Sequence, residues 1–151
     1  MANNKGFSHL DNQGRAAMVD ISRKPTLRRT ARAGGLVQVS TATLQRIQEQ
    51  GLPKGNPFEV ARVAGIQAAK RTPELIPLCH QLLLDHVDVQ IEVCPEGFKL
   101  SATVTCRQAT GVEMEALTAV AVAALTLYDM CKAVDPEIVI RDVRLIEKIK
   151  E

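Results

Sequence analysis

From Ala116 to Tyr128 the chain reads A-L-T-A-V-A-V-A-A-L-T-L-Y, without one charge. A helix apolar on every side has to be covered on every side. The run is shorter than the ~18 or more residues expected of a membrane span, so burial within protein is predicted. In a chain of 151 residues, one fold layer and a partner subunit can supply that cover. The wider stretch, Thr110 to Asp135, carries its charges at the ends. Thr110 and Glu113 have capping-box spacing. Glu113 and Glu115 fall in the first turn, where the helix dipole favours anions.

The far end places Asp129 where the dipole disfavours a carboxylate, with Lys132 three residues on and able to pair with it. A plain surface ion pair explains these residues about as well as a functional one does. Glu115 and Asp129 stand about 21 Å apart along one helix axis at ~1.5 Å per residue. One small-molecule site using both needs two copies of the helix, antiparallel across a two-fold axis. The expectation is a site at a subunit interface.

Length fits a single core. A composition of 46% apolar and 24% charged residues describes a globular chain. The domain reading is a flexible N-terminal segment, 1–17, and one domain, 18–151. The net charge of +2 demands neither nucleic acid nor an acidic membrane. Aromatic residues make up 3%, with no Trp, which leaves few stacking platforms for single strands. Cys79, Cys94, Cys106 and Cys131 have no zinc-site spacing. With a polar N-terminus, the expected setting is the cytoplasm, with reduced thiols.

Met18–Ile21 reads as a short strand. Thr26 to Ser40 turns from Arg-rich to apolar, so Leu36–Val39 is expected as a strand, with a bulge or bend at Gly34-Gly35. Arg28, Arg29 and Arg32 then form either a charged edge strand or an anion site. A helix from Ser40 or Thr41 to about Gln50 follows. Lys54 beside Gly55 offers a weak anion signal. Asn56 caps the next helix, with Pro57 at its first position and Pro73 at its end. Leu75–His80 is an apolar loop, in which His80, taken locally, suits a core edge better than a site. Val87–Val93 and Phe98–Cys106 alternate as two arms of a hairpin around Cys94–Gly97. After the long helix, Ile138–Ile146 reads as the last strand. The order is the β-α-β-β-α-β plan with one helix duplicated: an α+β fold, ferredoxin-like, with an antiparallel sheet and helices packed on one face.

Several stretches together go further: Met18-Val-Asp; Ala64-Gly-Ile-Gln-Ala-Ala-Lys-Arg-Thr72; Ile76-Pro-Leu-Cys-His80; Gly111-Val-Glu-Met-Glu-Ala-Leu-Thr118; and Tyr128-Asp-Met-Cys-Lys-Ala-Val134. From about Met18 to Lys148 the chain resembles the cyclic pyranopterin monophosphate synthases, the molybdenum cofactor biosynthesis protein C (MoaC) family. The resemblance implies a lyase that converts 3′,8-cyclo-7,8-dihydro-GTP to cyclic pyranopterin monophosphate and pyrophosphate. It also implies a homohexamer, a trimer of dimers with sites between subunits. The family's catalytic aspartate falls on Asp129 and its essential lysines on Lys54 and Lys132. Substrate contacts fall on Leu78, Cys79, His80, Met114 and Glu115, with Glu113 and Arg29 at site-lining positions.

The residue types suit that chemistry. Lys54, Lys132 and Arg29 would neutralise a triphosphate. Asp129 beside Lys132 would serve as general acid/base, with His80 assisting near neutral pH. Glu113 or Glu115 could accept the guanine-derived N–H donors. No tightly bound cofactor or metal is expected, although a divalent cation can assist through the substrate phosphates. Two departures stand out. Gln81 follows His80 where the family usually has Pro, which should loosen that loop. The chain ends Lys148-Ile-Lys-Glu151, where the family commonly continues into a Lys-Ser-Gly-Gly-Lys-Ser-Gly-like tail. The rival readings are a non-catalytic nucleotide-binding module, an assembly protein, and an RNA binder using the Arg28–Arg32 patch. Carboxylates beside the anion-binding lysines favour the enzyme.

Overall fold

The computed structural model describes residues 8–50 and 55–151. Its elements are β1 (Leu27–Gln38), α1 (Thr41–Gln50), α2 (Pro57–Lys70), α3 (Thr72–Leu75), β2 (Leu84–Cys94), β3 (Gly97–Gln108), α4 (Glu113–Cys131) and β4 (Val139–Lys150). The strands form one antiparallel sheet in the order β2-β3-β1-β4. The helices cover one face, giving the α+β sandwich that the element order predicts.

Alternation along β3 decides which face is covered. Phe98, Leu100, Ala102, Val104 and Cys106 are fully buried, while Lys99 and Arg107 are exposed on the other side. α4 lies on that apolar face through Ala116, Ala119, Val120, Ala123 and Leu127, all fully buried. Small residues let α2 approach α4 closely. A Cβ on Gly65 would stand 3.0 Å from the Ala119 carbonyl and 3.3 Å from the Ala123 methyl. Phe58 of α2 meets Phe98 edge-on, with ring centroids 5.3 Å apart. By length and composition α4 could cross a membrane, but ten of its residues, Glu115 included, are buried in the protein. Leu125 and Tyr128 remain exposed on its outer side, so the fold alone does not cover the helix all round.

Other expectations also hold. Asn56 Oδ1 accepts hydrogen bonds from the N–H groups of Phe58 and Glu59 at 3.0 and 3.3 Å, and Pro57 opens α2. Near Gly34-Gly35 the register of β1 slips against β4 while staying continuous with β3.

Four readings need correction. Met18–Ile21 has no strand partner among the described residues; the Val19 carbonyl bonds a side chain instead. The Arg-rich segment belongs to β1, and β1 is a central strand. Arg28, Arg29 and Arg32 therefore do not guard an edge. The capping box does not form: Val112 occupies the N-cap without a side-chain bond. Glu113 lies 3.4 Å from Lys148 instead, an ion pair outside its own turn. Finally, Pro73 does not end α2 but sits inside α3, because the first turn of a helix tolerates a missing N–H.

A buried carboxylate joins α4 to α1. Asp135 Oδ2 accepts from the Ser40 N–H at 2.8 Å and the Thr43 hydroxyl at 2.9 Å. Its Oδ1 accepts from the Glu137 N–H at 3.1 Å.

Candidate active site

Three segments converge on a cavity of about 390 Å³. The loop between α3 and β2 contributes Leu78, Cys79, His80 and Leu82. The start of α4 contributes Thr110, Gly111, Glu113, Met114 and Glu115. The N-terminal segment contributes Ser8, His9, Val19, Ile21 and Lys24. A larger groove of about 510 Å³ crosses the open face of the sheet. It brings no histidine together with a carboxylate. A third hollow of about 520 Å³ holds Asp85 and His86, but only the cavity of about 390 Å³ gathers the expected site residues Leu78, Cys79, His80, Glu113, Met114 and Glu115.

His80 Nε2 lies 2.6 Å from the Val19 carbonyl oxygen. A carbonyl only accepts, so Nε2 carries the proton and Nδ1 is left as the free nitrogen of the neutral ring. This bond ties the loop to the N-terminal segment. The Cys79 N–H donates to the Ile76 carbonyl at 3.1 Å. These bonds hold the loop in which Gln81 replaces the expected proline.

Glu115 is 3% exposed. Burial pushes its carboxyl above the usual range. Its own backbone N–H pulls it down and neighbouring Glu113 adds to the rise. Burial, then the Glu115 charge, also raises the Cys79 thiol. Cys106 and Cys131 are each pushed up to about 11, chiefly by burial, so neither is a ready thiolate at neutral pH.

Arg29 stands beside the main cavity. It lines two adjoining hollows that share Gly111 and Glu113 with it. One terminal nitrogen donates to the Ala109 carbonyl at 3.2 Å, bracing the approach to α4. Its Nε is buried without a hydrogen-bond partner among the described residues.

Asp129 and Lys132 lie at the other end of α4. Lys132 Nζ donates to Asp129 Oδ1 at 2.6 Å, and both side chains are more than half exposed. That hydrogen bond and the attraction of Asp129 raise the Lys132 ammonium above its ordinary value. A single chain thus gathers Leu78, Cys79, His80, Glu113, Met114 and Glu115, sets Arg29 alongside, and keeps Asp129 and Lys132 apart from them. Lys54 lies outside the described residues. Among the described residues, no group of three His, Cys, Asp or Glu side chains could hold a metal ion.

Ser8, His9 and Lys24 are not among the expected site residues, because a polar N-terminus gives no periodic signal. One local signal exists: Asp11-Asn-Gln-Gly14 has turn chemistry. Asp11 Oδ1 accepts from the N–H groups of Gln13 and Arg15 at 2.8 and 2.9 Å, and Gly14 has φ +76°. The Ala17 N–H then donates to the His9 carbonyl at 2.9 Å, closing a small hairpin.

Residues 18–150 match the model of the MoaC family. The chain belongs to the MoaC family. A Rhodospirillum rubrum cyclic pyranopterin monophosphate synthase is 54% identical over 145 residues, covering 95% of this chain and 87% of the relative. A Chloroflexus aggregans protein of the same name is 57% identical over 144 residues, 94% and 87% of the two chains. A 51% match spans 94% of this chain but 46% of a Chlorobaculum tepidum molybdenum cofactor biosynthesis bifunctional protein. The match to the MoaC family takes in both ends of α4, while the hairpin at 8–17 precedes the matched span.

Proposed function

We propose that this chain is a cyclic pyranopterin monophosphate synthase, a lyase of molybdenum cofactor biosynthesis acting in the cytoplasm. Its substrate is 3′,8-cyclo-7,8-dihydro-GTP, and its products are cyclic pyranopterin monophosphate and pyrophosphate. The observation that carries this reading is the convergence of Cys79, His80, Glu113 and Glu115 on one cavity beside Lys24, in a member of the MoaC family.

The carboxylates Glu113 and Glu115 accept from the guanine-derived N–H edge, and Leu78, Cys79 and Met114 pack about it. Arg29, Lys54 and Lys132 neutralise the triphosphate and the departing pyrophosphate. Asp129, whose charge Lys132 supports, moves protons during the ring rearrangement, and His80 takes part through Nδ1. No cofactor is bound tightly; a divalent cation, where it assists, comes with the substrate phosphates.

Separation of Glu115 from Asp129 along α4 supports a site shared by two copies, and the homo-oligomer we propose is a hexamer, a trimer of dimers. Exposed Leu125 and Tyr128 on α4, with Val143, Ile146 and Ile149 on β4, supply apolar surface for those contacts. Pyrophosphate release from 3′,8-cyclo-7,8-dihydro-GTP by the 151-residue chain tests the reading. Release with formation of the cyclic phosphate is expected. A folded, assembled chain that releases none refutes it.

A further inference from the structure

We propose that His9, an exposed residue lining the same cavity as His80, is a further catalytic residue that delivers a proton to the bound substrate. The proposal rests on the synthase reading above.

Two histidines line this cavity. They are held differently. His80 spends Nε2 on the Val19 carbonyl, so its neutral ring is fixed in one tautomer and presents a bare Nδ1. In that form it accepts a proton from the substrate but has none to give it. A rearrangement that moves protons on and off different atoms also needs a donor. Asp129 serves from the far end of α4 of a second copy; on the chain's own side of the cavity, His9 meets that need. Its backbone is pinned by the Ala17 N–H and by the hairpin that Asp11 organises. Its ring has no hydrogen-bond partner among the described residues, so either nitrogen can turn to the substrate. The titratable groups that line the same cavity are Lys24 from its own segment, Cys79 and His80 from the loop, and Glu113 and Glu115 from α4. The two carboxylates supply counter-charge in the same cavity for a cationic donor.

The protons balance. One leaves the substrate for His80 Nδ1, and one arrives from the His9 imidazolium. Both rings are restored by exchange with water, and the carbon skeleton is isomerised without an oxidant or reductant.

The test compares His9→Gln, His9→Asn and the unaltered chain by pyrophosphate release across about pH 5.5 to 9. Both variants are expected to lose roughly 10²-fold or more in kcat with little change in KM. They also lose the alkaline fall in kcat that titration of a proton donor imposes. Asp11→Ala loosens the hairpin but keeps the ring, and is expected to raise KM while that alkaline fall persists. If His9→Gln and His9→Asn keep the kcat and the pH profile of the unaltered chain, the proposal is overturned. If the unaltered chain itself releases no pyrophosphate, the synthase reading fails and this proposal falls with it, a result visible before any variant is compared.

Discussion

Glu115 is buried at the cavity end of α4, and Asp129, fourteen residues later on the same helix, pairs with Lys132 in the open. One straight helix cannot fold its two ends together, so a shared site needs an Asp129 from a second copy.

That arrangement predicts complementation. Glu115→Gln and Asp129→Asn should each abolish pyrophosphate release by more than about 10²-fold. Unfolded together and co-refolded, they should regain about one quarter of normal activity, because half the dimers are mixed and each mixed dimer has one intact site. A mixture as inactive as its parents would mean that each copy works alone.

The two buried carboxylates should affect stability with opposite signs. Burial pushes Asp135 upward, but hydrogen bonds from Ser40, Thr43 and Glu137 outweigh it and hold the group below the usual range. Its stabilisation is complete above the unfolded value of about 3.9 and is lost as pH falls through the folded one. Asp135→Asn should cost about 1.5–3 kcal/mol at pH 7, with the deficit shrinking below about pH 4. Glu115 is raised, so the folded state binds its proton more tightly and stability falls as pH climbs from the ordinary value to the raised one. Glu115→Gln should therefore unfold at higher urea than the parent at pH 7, and lose that advantage towards pH 4. Urea midpoints measured across this pH range check both signs.

Gly65 sets how closely α2 and α4 approach. Gly65→Val would drive methyl groups into the Ala119 carbonyl and the Val89 side chain, which stand only 3.0 and 3.2 Å from where a Cβ at this position would lie. A loss of roughly 1–3 kcal/mol is expected from overpacking, read as a lower thermal midpoint. Gly65→Ala should lose less.

Thiol labelling should sort the four cysteines. Cys106 and Cys131, fully buried and pushed up to about 11, should resist iodoacetamide at pH 8 until the chain unfolds. Cys94, on a hairpin end, should react first. Cys79 should react slowly, and bound substrate should protect it, as peptide mapping by mass spectrometry would show.

Alternating or uncharged stretches make most of the fold legible. Phe98–Cys106 declares its covered face residue by residue, and Ala116–Tyr128 has no polar side to expose. Strand ends are harder to read. Arg28, Arg29 and Arg32 resemble a solvated edge, yet pairing with β3 and β4 on both sides makes their strand central. Of the candidate site, the loop at Leu78–His80 and the start of α4 are reached through the resemblance of their short motifs to the family, since residue type alone leaves His80 closer to a core edge. His9 and Lys24 are not, since they reach the cavity only through the turn that Asp11 builds and the bond between His80 and Val19.

Tyr128 is the chain's one tyrosine, and there is no tryptophan. It lies next to Asp129 on the uncovered side of α4. Ultraviolet emission from the unlabelled protein, excited near the tyrosine band, therefore originates at a single known point. A second copy or a substrate phosphate arriving at that helix end would alter the signal directly, giving the molecule an intrinsic optical reporter where its two half-sites would meet.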